Sequence, residues 1–272
     1  MKRDYQQQVV LKDLKQFSQI YLVPLADWHI GDHNTAIDII QGYIDWIAER
    51  DNAFTILNGD LMNAATKESA AELYDDLVTP DRAYEKVRDL CQPIKDKILM
   101  ITRGNHEEAI YKKVGADYMA RLAYDLGEIP YKPDGGIVGV KLGVQGGKTA
   151  VGMCFIYATH GWGGARTIGA KVKKAQDLMQ VANADIFVLS HDHTQNVNRG
   201  NLIEPPRRRI QFAKPMYLTV RRKLFINTGG FIRYGGYIQR KGYTPQDLGT
   251  PRIRIELKHD EDTQRLDLHA SI

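Results

Sequence analysis

Short, almost uninterrupted apolar runs recur at residues 20–26, 54–57, 98–102, 151–158, 186–189 and 224–226. Runs this short without polar alternation predict strands buried on both faces. Between them the apolar positions move to helical spacing. Residues 35–50 place Ile37, Ile40, Tyr43, Ile44 and Ile47 near one face, with Thr35 as the expected N-cap. A second helix is predicted from Thr79, with Pro80 in its first position, toward Cys91. Residues 113–126 and 166–182 also read as helices. Strands separated by helices predict an α/β fold with largely parallel pairing.

The glycine-rich span 135–148 breaks this rhythm. Val138, Val140, Leu142 and Val144 alternate ahead of Gly146-Gly147, which predicts a hairpin leading into the strand at Val151. Gly146-Gly147-Lys148-Thr149 lacks the first glycine of a phosphate loop and precedes a strand instead of a helix, so a nucleotide loop is set aside.

With 272 residues and 43% hydrophobic content, one domain over 1–272 is expected. No apolar run reaches the roughly 18 residues of a membrane span, and the first eight residues lack the apolar region of a signal peptide, so no membrane partner and a cytoplasmic location are expected. Cys91 and Cys154 stand alone and read as buried thiols. The net charge of +4 hides an uneven distribution: residues 199–258 carry 14 Lys plus Arg against 3 Asp plus Glu. Residues 1–198 carry 22 against 26, and the last 14 residues 1 against 4.

The candidate chemistry sits where apolar runs end. All histidines except His33, His259 and His269 fall into clusters at Asp27-Trp28-His29, Asn105-His106-Glu107, His160-Gly161 and His191-Asp192-His193, with Gly59-Asp60 as a fifth cluster. Ligands of open α/β sheets gather at the carboxyl ends of strands, and these five clusters occupy such ends. Imidazoles with carboxylates and an amide, without thiolate, suit Mn²⁺, Fe²⁺ or Zn²⁺ better than Ca²⁺. So many ligating groups predict two ions, about 3.5–4 Å apart, holding a bridging hydroxide for in-line attack at phosphorus.

The order Asp-x-His, Gly-Asp, Gly-Asn-His-Glu, His, His-x-His resembles the calcineurin-like metallophosphoesterase superfamily, over roughly residues 20–194. The resemblance implies a four-layer αββα sandwich of two mixed β-sheets flanked by helices. It implies that Asp27, His29, Asp60 and His193 bind one metal and Asp60, Asn105, His160 and His191 a second, most readily Mn²⁺. It also implies that His106 is the acid that protonates the leaving oxygen, with Glu107 orienting it. Ser190 stands where the family carries a glycine before His-x-His. Thr102-Arg103-Gly104-Asn105-His106-Glu107 is similar to the protein Ser/Thr phosphatases, yet Gly59-Asp60-Leu61-Met62-Asn63 lacks the Asp-Arg-Gly those enzymes carry after Gly-Asp. Asp27-Trp28-His29-Ile30-Gly31 instead resembles the opening motif of Mre11/SbcD nucleases.

The basic segment contains Arg207-Arg208-Arg209 and Arg221-Arg222-Lys223, interleaved with Tyr217, Phe225, Phe231, Tyr234, Tyr237 and Tyr243. Basic groups neutralise phosphates and aromatics stack on bases, so Arg207, Arg208, Arg209, Arg221 and Arg222 are candidate substrate contacts, with His33 and Arg103 near the ligands. Residues 199–223 are expected to form an inserted surface loop beside the active face, and the segment 199–258 to complete the second sheet. The sequence thus predicts a phosphodiesterase that cleaves DNA, or RNA. The alternatives are a phosphatase or small-molecule phosphodiesterase, and a non-catalytic binding protein on the same fold.

Overall fold

A computed structural model of the chain describes residues 7–63, 78–143, 151–205, 217–240, 242–259 and 264–272. Two mixed sheets face each other. The six-stranded sheet runs β1 (Val10–Leu14), β5 (Gly136–Gly143), β6 (Val151–Thr159), β7 (Ile186–Leu189), β9 (Thr219–Asn227), β8 (Asn196–Glu204). The five-stranded sheet runs β11 (Gln264–Ser271), β10 (Arg252–His259), β2 (Gln19–Leu22), β3 (Ala53–Asn58), β4 (Ile98–Thr102). The central pairs β2/β3, β3/β4, β6/β7 and β7/β9 are parallel, as the continuous apolar runs predict. β5 pairs antiparallel with β6. The predicted hairpin is therefore present, while its turn, with Val144 and Gly146-Gly147, lies outside the described residues.

Helices α1 (Ile37–Ala48), α2 (Pro80–Cys91) and α4 (Tyr118–Asp125) cover the outer face of the five-stranded sheet. Ile40, Ile44 and Ile47 recur one turn apart and bury against Val23, Leu57 and Ile101 together with Tyr84, Val87 and Leu122. Helix α5 (Ile168–Asp177) lays Ala175 on Phe187 and Phe225 across the other sheet. Between the sheets, Leu22, Ile56, Met100, Val140, Ile156, Val188, Ile226 and Ile255 form the largest core. The four-layer α/β fold is thus as expected. Both cysteines are buried, and neither is in a disulfide. Among the described residues, no helix is long and apolar enough to cross a membrane.

Three expectations fail locally. Thr35 does not cap α1: its hydroxyl donates to the His29 carbonyl (2.7 Å), and Ala36 precedes the helix. The helix expected over 113–126 is two helices, α3 (Asn105–Val114), ended by Gly115 in the left-handed region, and α4, capped by Asp117. The described residues of 199–223 are not the expected loop. Their described part forms the β8/β9 hairpin, paired from Asn196↔Asn227 to Glu204↔Thr219. A short helix α6 (Gly236–Arg240) follows, and the basic segment ends in β10, so it feeds both sheets.

Candidate metal centre

The carboxyl ends of β3, β4, β6 and β7 meet at one buried side chain. Asn58, the last residue of β3, donates through Nδ2 to the Thr159 carbonyl and the Ser190 hydroxyl, both at 2.7 Å, and accepts from the Thr102 hydroxyl at 3.0 Å. Its own carbonyl lies 2.8 Å from His160 Nδ1. Ser190 therefore replaces the family glycine with a hydroxyl that this asparagine uses.

Around this hub the sequence-predicted ligands converge in two groups, Asp27–His29–His193 and Asp60–His160–His191, and a third set, His29–Asp60–His106, lies between them. In the first, His29 Nε2 and His193 Nε2 face each other at 3.3 Å, and Asp27 Oδ1 lies 3.9 and 3.4 Å from them. Asp27 Oδ1 is buried and, among the described residues, has no hydrogen-bond donor. Two imidazole nitrogens and an unmet carboxylate oxygen turned toward one spot are matched by a cation. In the second, His160 Nε2 lies 3.2 Å from Asp60 Oδ2, and Asn105 Oδ1 contacts His160 Nε2 (3.2 Å) and His191 Nδ1 (2.7 Å). Asp60 Oδ2 is also 3.9 Å from His29 Nε2, which places this carboxylate between the groups. The nitrogen and oxygen donor set suits two borderline divalent ions.

The backbone is bent to achieve this. Asp27, His29, Asp60, His191 and His193 have φ of 53°, 49°, 51°, 74° and 50°; among the described residues the one other non-glycine with positive φ is Glu128. Left-handed backbone at such residues costs of order 1–3 kcal/mol each and persists where neighbours over-determine it. The neighbours are visible. His191 N–H donates to Asp27 Oδ2 (3.1 Å), Asp27 N–H to the Gly59 carbonyl (3.1 Å), and His106 N–H to Asp60 Oδ1 (2.9 Å) at the start of α3. A Cβ at Gly104 would overlap the Asp60 carboxylate, and one at Gly230 would lie 2.5 Å from the His193 ring. Trp28, between two of the bent residues, is fully buried and anchors the loop in the core.

Burial depresses the imidazoles of His29, His191 and His193, the last to about 3, so they offer neutral lone pairs. Burial pushes the Asp27 carboxyl well above the usual range. For Asp60, burial is outweighed by His160, His106 and His29, which hold it well below that range. Burial likewise opposes charge on His160, yet the Asp60 carboxylate raises it to about 10.

His106 joins the cluster, its ring edge-on to His29 at 4.5 Å. Glu107 is placed differently from the expectation that it orients this ring. Its buried carboxylate accepts three backbone N–H groups at 3.0 Å, from Gly104, Asp60 and Met62, and so ties the Asp60 loop to α3. His33 is exposed and outside both groups. Arg103 turns to Asp117 (3.1 Å) and lies over the Tyr111 ring. Arg221 and Arg222 are six and five residues before Asn227, the cluster end of β9, or roughly 16–20 Å away along the strand. They pair with Glu204 and Asp267. Arg207, Arg208 and Arg209 lie outside the described residues, as does the Tyr237 side chain. Phe225 and Phe231 are core residues, whereas Tyr217 and Tyr234 are exposed.

Two residues at the cluster, Asn58 and the exposed Trp162 two residues after His160, are unmarked in the sequence, and Tyr243, one of the aromatics of the basic segment, has its ring 5.2 Å from that of His193. Tyr243 carried a weak signal as one of several aromatics in the basic segment; Asn58 carried none beyond ending an apolar run.

Among solved structures, the chain is similar to Vps29 from Cryptosporidium parvum, at 14% identity and TM-score 0.38 over 93% of this chain and 98% of that one. It is also similar to Vps29 from Entamoeba histolytica, solved with Zn²⁺, at 11% identity and TM-score 0.37 over 92% and 99%. No curated protein matches in sequence. A family model described as calcineurin-like phosphoesterase matches residues 25–195, the span that supplies every converging ligand, and the chain belongs to that family.

Proposed function

We propose that the protein hydrolyses phosphodiester bonds with two divalent ions, Mn²⁺ foremost and Zn²⁺ or Fe²⁺ as alternatives. Asp27, His29, Asp60 and His193 hold one ion, and Asp60, Asn105, His160 and His191 the other. The observation that carries this is the meeting of the two ligand groups at the Asp60 carboxylate. When bound, two such ions supply a hydroxide nucleophile at neutral pH and offset the charge that builds on phosphorus oxygens during in-line displacement. The chain's own residues do the rest. His106 holds the proton for the leaving oxygen, fixed on the first turn of α3 whose N–H grips Asp60. Glu107 keeps that turn and the Asp60 loop in register.

We take nucleic acid, DNA before RNA, as the substrate. The Mre11/SbcD-like opening motif supports it, and so do two aromatics beside the cluster that suit base stacking: Trp162, exposed and two residues after His160, and Tyr243, whose ring lies 5.2 Å from that of His193. The placement of Arg221 and Arg222 away from the cluster favours a second reading, hydrolysis of small phosphodiesters or phosphomonoesters.

The deciding assay is Mn²⁺-dependent hydrolysis of end-labelled single- and double-stranded DNA and of bis-p-nitrophenyl phosphate, with His106→Ala and Asp60→Ala alongside. DNA cleavage lost in both variants supports the nuclease. Turnover of the small diester alone moves the substrate to the second reading. A purified chain that binds no ion and turns over nothing refutes both and leaves a non-catalytic binding protein.

A further inference from the structure

Lys171 has an ammonium where an apolar side chain would pack at less cost. It is 5% exposed on the first turn of α5, and bringing an ammonium out of water costs several kcal/mol unless its partners offset it. Its Nζ donates to the Asp192 carbonyl (2.9 Å) and the Thr194 hydroxyl (2.6 Å). One helical turn on, Lys174 Nζ lies 2.9 Å from both oxygens of the buried Asp192 carboxylate. The carboxylate is thus already neutralised by Lys174, and Lys171 is spent on the backbone of the loop itself.

That loop, like Asp60, serves both ligand groups. His191 reaches the Asp60–His160 group and His193 the Asp27–His29 group, and both adopt left-handed backbone, at φ 74° and 50°, on either side of Asp192. Such backbone survives where its surroundings leave no alternative. Lys171 supplies that constraint from below. The Lys171 carbonyl accepts from Asn227 Nδ2 (3.2 Å), which locks the helix to the cluster end of β9. The Tyr243 ring closes the other side, 5.7 Å from Lys171 Nζ and 5.2 Å from the His193 ring.

We propose that Lys171 is a positioning residue: its ammonium, clamped on the Asp192 carbonyl and the Thr194 hydroxyl, fixes His191 and His193 together and so sets the affinity of both ions at once. This rests on the assignment of His191 and His193 as ligands of two metals. Residues that orient ligands typically change metal affinity 10–100-fold when removed.

The test is calorimetric titration of Mn²⁺ into the metal-free full chain. Lys171→Met weakens both ions by about 10–100-fold. Thr194→Val, which removes only the hydroxyl, weakens both to a smaller degree. His29→Ala, which removes a residue assigned to one ion only, chiefly weakens that ion. Lys173→Met serves as the control, because Lys173 is exposed and, among the described residues, pairs with Asp177 on its own helix. Co²⁺ loaded into Lys171→Met shows a changed visible absorption, which a residue that merely packs the helix would leave alone. Affinities in Lys171→Met within twofold of the unaltered chain overturn the proposal. Where Lys171→Met does not fold, Thr194→Val decides by the same criterion. An unaltered chain that binds neither ion overturns the metal assignment first, and this proposal with it.

Discussion

Replacing Asn58 with Ala perturbs the point where four strand ends meet. Three side-chain hydrogen bonds disappear, two donated at 2.7 Å to Thr159 and Ser190 and one accepted at 3.0 Å from Thr102, all of them buried. Each typical bond contributes about 1 kcal/mol net, and a buried partner left unmet costs about 1–3 kcal/mol. Thr102 and Ser190 have hydroxyls that rotate toward other acceptors, whereas the Thr159 carbonyl stays fixed by its strand. With a small cavity added, the loss comes to about 3–5 kcal/mol. At about 2–4 °C per kcal/mol for a chain of this size, Tm falls by roughly 6–20 °C. The assay is urea denaturation of metal-free protein, with chelator present so that ion binding adds nothing to either state. Asn58→Asp should be worse than Asn58→Ala, because a carboxylate keeps the acceptor for Thr102 but points an oxygen at the Thr159 carbonyl. A loss below about 1 kcal/mol for Asn58→Ala, with an unchanged denaturant slope, would refute the hub.

Other outcomes follow from the same geometry. Lys223, 1% exposed, contacts Glu204 (2.7 Å), Asp185 (3.7 Å) and the Ala184 carbonyl (2.9 Å), so Lys223→Ala is expected to cost about 3–5 kcal/mol in denaturation while metal affinity stays unchanged. Gly104 has ordinary φ, so Gly104→Ala acts through its Cβ alone and displaces Asp60; metal titration should show at least about a tenfold loss of affinity. Both nitrogens of metal-free His160 face acceptors, Asn58 O and Asp60 Oδ2, so the ring carries two protons and loading metal releases one. Calorimetry in two buffers of different ionisation enthalpy reads that proton. A pKa raised to about 10 also gives the metal-free fold a contribution that is complete below about pH 6.5 and fades as pH rises through 10, which a pH series of Tm checks.

How far the sequence reveals this molecule depends on whether a signal is local. β4 and β7 match their apolar runs at both ends, because Lys97 and Arg103 bracket one and Asp185 and Ser190 the other. The ligand clusters were legible for the same reason, each being a polar tip on an apolar strand. Helix α3 is not, because its first turn is the polar Asn105-His106-Glu107-Glu108 and carries the proposed ligand Asn105 and proposed acid His106 instead of an apolar stripe. The outer half of β9 is exposed through Thr219, Val220 and Arg222, so neither period marks it, and its arginines read as a surface loop. Lys171 sits among Lys173 and Lys174 with nothing local to show that one of the three is buried. Asn58 and Lys171 gain their roles from residues more than 20 positions away in sequence, a distance that no periodicity spans.

The left-handed ligands carry a lesson for engineering this chain. At positions 27, 29, 60, 191 and 193 glycine would adopt the observed backbone without the penalty its present occupants bear. At four of them that relief is offset by the buried space and unmet partners that glycine would leave, such as the His191 and His106 N–H groups that Asp27 and Asp60 accept. His191 is the least buried of the five, so a selection for heat resistance alone meets the smallest offsetting loss there, and any library built to harden this protein has to hold that codon constant.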